Sequence, residues 1–182
     1  MKYMLMKYHR QISLILLNIC FCFVSMQIKA QVKASPENIM ASFIYNFSGY
    51  IQWPPDSEAN AYIITVLGDN SLMDPLMYIS KTKKIDNKDI IIEKAANLEQ
   101  IKKSHFLVVG DNFTSSIQEI NSDTTRMPMI IITHCGECLQ AGATFNFVTE
   151  KDRIRFEINK SELDLKNIKV SSQLLKLAVR VI

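Results

Sequence analysis

The chain of 182 residues is 48% hydrophobic and 21% charged, with 5 Gly and 5 Pro; this supports one domain with a real core and excludes a disordered chain, a collagen-like chain and a pair of large domains. Its formal charge of +3 comes from 21 Lys and Arg against 18 Asp and Glu. Four of those basic residues, Lys2, Lys7, Arg10 and Lys29, fall in the first 30 positions, so the remainder carries 17 basic against 18 acidic side chains and lacks the cationic surplus of a nucleic-acid binder.

Lys2, Lys7 and Arg10 precede an apolar run from Ile12 to Met26, and the small residue Ala30 follows. This is the layout of a secretory signal. The run is shorter than the roughly 20 apolar residues of a membrane span. The reading is a signal peptide over 1–30, cleaved near Ala30, and a single mature domain over 31–182. An uncleaved anchor is the competing reading, because Ile28-Lys29-Ala30 is an imperfect cleavage site. Cys20 lacks the small preceding residue of a lipidated cysteine. Export places the two remaining cysteines, Cys135 and Cys138, in an oxidising compartment, read as the bacterial periplasm.

Ser35-Pro36 has the form of an N-cap followed by proline at the first helical position. Ile39, Phe43, Phe47 and Ile51 then recur every four residues, with Met40 and Ile44 beside them, predicting a helix buried on more than one side. Trp53-Pro54-Pro55 is expected to stop it. Four apolar runs follow: Tyr62 to Leu67, Ile90 to Ile92, Phe106 to Val109 and Met129 to Ile132. They are rich in Ile and Val and do not alternate, as expected of parallel strands covered on both faces. Helices are expected between them over 71–80, 97–104 and 114–123, with Asp69 and Asp111 as caps in the Gly-Asp turns.

Beyond Gly142 the period changes. Phe145 and Phe147 share a strand face; Ile154, Phe156 and Ile158 share the next, with Arg153, Arg155 and Glu157 opposite them. Glu150-Lys151-Asp152 makes the turn of an antiparallel hairpin. Ser171-Ser172 caps a last helix that turns Leu174, Leu175, Ala178 and Val179 inward. The fold class is therefore α/β: a three-layer α/β/α arrangement with a mostly parallel sheet and a C-terminal antiparallel hairpin.

The chemistry is sparse. His134-Cys135-Gly136-Glu137-Cys138 contains a C-x-x-C, which suits a small disulfide loop, a redox dithiol, half a metal site or free thiols. A closed zinc site would need four ligands, and Cys135, Cys138, His134 and His105 are the set at hand. The Gly-Asp turns suit an anion at a helix N-terminus as well as simple capping. Arg153, Arg155 and Glu157 form a row that is either a solvated face or, if a neighbouring helix covers part of it, a site for an anionic or zwitterionic ligand. No dinucleotide fingerprint, P-loop, nucleophile elbow or H-E-x-x-H is present. The expectation is a protein that is not an enzyme, with no cofactor, no catalytic residue and no metal.

Two segments carry a family resemblance. Ala41-Ser42-Phe43-Ile44-Tyr45-Asn46-Phe47, running on to Tyr50-Ile51-Gln52-Trp53-Pro54, resembles the opening helix of the YfiR family of periplasmic proteins. Gly142-Ala143-Thr144-Phe145-Asn146-Phe147, Arg153 to Asn159 and Val170 to Ala178 resemble its tail. The family often has a second Gly where this chain has Ala143. The resemblance implies a non-enzymatic regulator that binds the periplasmic part of an inner-membrane diguanylate cyclase and holds it inactive, with release raising cyclic di-GMP and favouring biofilm. It also implies dimers and redox sensitivity through disulfides. The partner class extends to sensor kinases. The alternatives are a periplasmic small-ligand-binding protein and a thiol-disulfide protein.

Overall fold

The computed structural model describes residues 34–55, 60–68, 70–125 and 127–182. The signal expected over 1–30 and the cap expected at Asp69 lie outside them.

Helix α1 (Pro36–Phe47) begins as the sequence predicts: the Ser35 side chain accepts a hydrogen bond from Asn38 N–H, and proline occupies the first turn. Met40, Ala41, Ile44 and Phe47 are buried. The helix ends at Phe47, six residues before Trp53. A 3-10 turn (Ser48–Tyr50) follows, and then strand β1 (Ile51–Gln52). Ile51 leaves the helical stripe because it pairs, antiparallel, with Val170 of β8 (Lys169–Val170).

Strands β2 (Ala61–Leu67), β3 (Asp89–Ala95), β4 (Phe106–Val109) and β5 (Ile130–Thr133) are the four apolar runs. With β6 (Phe145–Glu150), β7 (Arg153–Ile158) and β9 (Arg180–Val181) they form, among the described residues, a seven-stranded sheet in the order β3-β2-β4-β5-β6-β7-β9. The pairs from β3 to β6 are parallel; β6 and β7 are antiparallel; β9 runs parallel to β7. Lys151 and Asp152, both at positive φ, make the hairpin turn, the backbone shape that matches the strand twist.

Successive residues of the central strands feed two cores. Phe106, Val108, Ile130 and Ile132 join α1 and α2 (Met73–Thr82) on one face. Leu107, Val109, Met129 and Ile131 join α3 (Ile117–Thr124) on the other. Burial on both faces is why these runs do not alternate. The three α/β/α layers follow.

Three expected details differ. The segment 97–104 holds only a 3-10 turn (Leu98–Gln100), because the Asn97 side chain caps Gln100 N–H at once and the connection to β4 is short. Asp111 is not a cap: Gly110 precedes the 3-10 turn Asp111–Ser116, and the Asp111 backbone carbonyl accepts from Thr114 Oγ1. The last helix, α5 (Ser172–Leu177), ends before Ala178; Val179 N–H donates to Phe156 C=O and the chain becomes β9. Before it stands a short helix α4 (Lys160–Leu165), capped by Asn159.

Candidate functional site

The connection from β5 to β6, residues 134–144, folds over the second face of the sheet. A disulfide joins Cys135 to Cys138, with Cα atoms 5.7 Å apart. Cys138 and Ala143 are buried in the core beside α3, and Leu139 is fully buried. Turns close the segment through Ala141 N–H to Glu137 C=O and Ala143 N–H to Cys138 C=O. Gly142 sits at φ +107° with the Asn121 amide 2.6 Å from the place a Cβ would take, so this corner requires glycine.

Beneath the disulfide lies a buried polar residue that pattern reading passed over. Asn146, between Phe145 and Phe147 on β6, is fully buried. Its Oδ1 accepts from Thr133 Oγ1 at 2.8 Å and from Cys135 N–H at 3.1 Å. Its Nδ2 donates to Cys135 C=O at 2.9 Å and to Glu157 Oε2 at 3.0 Å. The amide thus satisfies both backbone groups of the first cysteine and ties them to β7. A second amide does the same further along: Asn159 Nδ2 donates to Leu139 C=O at 3.1 Å. Period two puts Asn146 on the face opposite Phe145 and Phe147, the one read as wetter, and the alternation carries no sign that the disulfide loop buries it there.

The row on β7 divides. Glu157 is buried by the loop; besides Asn146 it faces Arg180 of β9, with Nε 2.9 Å from Oε1. With its amide oxygen turned to the guanidinium, Gln140 accepts from Arg180 Nη1 and Nη2 at 3.1 Å. Arg180 therefore clamps the disulfide loop to the last strand. Arg153 and Arg155 stand exposed, paired in register with Glu150 and Val148. The second core ends at the loop and leaves the wetter end of the hairpin face open.

The other chemical groups are dispersed. His105 precedes β4 at the opposite end of the sheet from Cys135, so the two do not share a metal site. Among the described residues no group of three or more His, Cys, Asp and Glu side chains is placed to hold a metal ion. His105 Nδ1 accepts from Ile63 N–H at 3.1 Å, and its ring packs on Tyr62 and Trp53. Burial, with Lys88 and Lys103 nearby, lowers its pKa to about 4. Burial raises the Tyr62 phenol, which donates to Asp86 Oδ2, and the Asp86 charge adds to this. Lys166 is buried at the end of α4 and donates to Thr124 C=O at 3.0 Å, tying α4 to the C-terminus of α3; burial lowers its pKa. The arrangement around the loop offers guanidinium forks and a pinned turn. Both thiols are joined in the disulfide, and the buried Glu157 carboxylate is paired with Arg180.

Residues 37–179 match the model of the YfiR/HmsC-like domain family. The chain belongs to that family. The match includes both segments that carry the resemblance. None of the curated proteins matches significantly. Among solved structures, a conserved domain protein from Vibrio cholerae O1 biovar El Tor is similar with a TM-score of 0.58 at 11% identity, over 82% of this chain and 61% of that one. A domain from Streptococcus pneumoniae, titled an ABC domain in complex with L-Trp, is similar with a TM-score of 0.55 at 12% identity, over 81% of this chain and 60% of that one. At these identities the likeness concerns the fold, and the chain spans about three fifths of each neighbour. No helix among the described residues is long and apolar enough to cross a membrane.

Proposed function

We propose that this YfiR/HmsC-like protein is an exported, periplasmic repressor that binds the outer segment of an inner-membrane diguanylate cyclase. The observation that carries the reading is the family match over 37–179. The exported domain is residues 31–182. Contact runs through the open face of the hairpin: Arg153 and Arg155 present guanidinium groups to carboxylates of the partner. Glu157 holds the arginine strand to the disulfide loop from behind. The partner distinguishes states of this surface by differential affinity, and the Cys135–Cys138 loop sets which state is populated. The domain works by contact and needs no catalytic residue or cofactor.

The test is genetic and then biochemical. Deleting the gene in its host is expected to raise cyclic di-GMP and surface attachment, and the wild-type gene to reverse both. Arg153→Glu combined with Arg155→Glu is expected to fail to reverse them while melting at the wild-type temperature, since both side chains are exposed. Unchanged cyclic di-GMP on deletion overturns the assignment.

A further inference from the structure

Charge is distributed unevenly along the strands. From residue 31 on the chain holds 17 basic against 18 acidic side chains, so its net charge draws it to no surface; the distribution does. Two connections meet at the amino ends of β2, β3 and β4: residues 83–88, which join α2 to β3, and residues 101–105, which lead into β4. They bring Lys83, Lys84, Lys88, Lys102 and Lys103 to this end, and Lys81 stands beside them in the last turn of α2. All but Lys88 are exposed.

The described carboxylates among them are engaged. Asp89 pairs with Lys84 at 2.9 Å, and Asp86 accepts from the Tyr62 hydroxyl at 3.2 Å. Asp56 and Glu58, just ahead of β2 in the chain, lie outside the described residues; counted in full, they leave six lysines against four carboxylates. The His105 imidazole is buried beneath this surface, and Lys88 and Lys103 add to burial in disfavouring its protonation. The group that samples the local field therefore finds it positive. Trp53, half-buried, lies against the same ring with centroids 5.0 Å apart.

The other end of these strands is acidic. Glu37 opens α1, Asp74 lies in the first turn of α2, Asp111 follows β4 and Glu137 lies in the disulfide loop, against Lys94 near the end of β3. Strand β2 has seven residues, so the two ends are about 20 Å apart. The Debye length is about 8 Å at physiological salt. A charged surface that meets the lysine end does not feel the acidic one.

We propose that the lysine end of the sheet docks on the anionic phospholipid surface of a bilayer. Headgroup phosphates are met from many directions, which suits the compact lysine ammonium; planar carboxylates suit the arginine forks of the hairpin. Long lysine stems carry the ammonium groups past the shorter aspartates, and an indole is among the side chains that settle at a headgroup layer. The inference rests on the export in the proposed function and not on the repressor role.

Vesicle flotation tests this. Residues 35–182 form a compact unit of their own, so the chain from residue 31 is used and no leader contributes to binding. Vesicles of equal parts phosphatidylglycerol and phosphatidylcholine at about 0.1 M salt are expected to carry the protein up; phosphatidylcholine alone is not, and about 1 M salt is expected to release it. Lys83→Glu combined with Lys102→Glu is expected to weaken partitioning more than about twentyfold, since each lysine near such a surface contributes several-fold. Both side chains are exposed, so the variant keeps its fold. Arg153→Glu combined with Arg155→Glu makes the same change of charge at the hairpin and is expected to leave flotation unchanged. No flotation on the anionic vesicles, equal flotation on both kinds, wild-type partitioning of the lysine variant, or an equal loss in the arginine variant overturns the assignment. A chain that is dimeric without vesicles and monomeric in the lysine variant assigns the surface to a second copy and overturns it as well. The measurement needs no cyclase, so its outcome is separate from that of the gene deletion.

Discussion

Asn146 is the residue on which the disulfide loop rests. An amide has two donors and two acceptor lone pairs, and here all four find partners: Thr133 Oγ1, Cys135 N–H, Cys135 C=O and Glu157. Such a network is stabilising only when complete, because each orphaned buried group carries its full desolvation penalty. Asn146→Leu keeps the volume and strands those partners. We expect a loss of about 3 kcal/mol in urea denaturation with an unchanged m-value. A loss within about 0.5 kcal/mol means that water enters and satisfies them. The disulfide cannot compensate: it closes so short a loop that its chain-entropy contribution is about 2 kcal/mol. Its main effect is local, fixing the turn that Asn146 supports.

At the scale of the element, α1 is the organising piece. Phe43 and Phe47 lie one turn apart, with ring centroids 5.9 Å apart. Phe47 also meets Phe145 at 4.8 Å and Phe156 at 4.9 Å, and so joins the helix to both strands of the hairpin. Phe47→Ala is expected to cost about 3–5 kcal/mol, because the rings around it are held by backbone on three elements and cannot collapse into the space. Thermal unfolding that shifts less than a buried Ile→Val change would show the cluster to be plastic. The apolar spacing made this helix readable, as the double burial made the four parallel strands readable. What stayed hidden depends on long-range partners. Ile51 continues the helical stripe yet pairs with Val170. Ala178 and Val179 look helical yet lead into a strand because Phe156 offers a backbone acceptor. The row of Arg153, Arg155 and Glu157 was readable as one face, but its division was not: only the fold places Asn146, Arg180 and Gln140 around Glu157.

For the whole molecule, the two ends of the sheet do different things. The carboxyl end of β5 leads into the disulfide loop. The opposite end is closed by Trp53, Tyr62 and His105, with ring centroids 5.0 and 4.7 Å from the imidazole. That closure makes stability depend on pH. His105 has a pKa of about 4 in the folded protein, below the ordinary 6.5. Between these values the unfolded chain takes up a proton that the folded one refuses, so stability rises with pH across the window. The contribution is full above about pH 6.5 and is lost as pH falls toward 4, at up to about 1.4 kcal/mol per pH unit. His105→Asn separates this from the carboxylates, because its side-chain oxygen replaces Nδ1 as acceptor of Ile63 N–H and does not titrate. Denaturation at pH 7, 6 and 5 is expected to show a steeper loss for the wild type than for the variant. Parallel profiles would mean that the imidazole is protonated in place, with the aromatic end of the sheet opening to admit water.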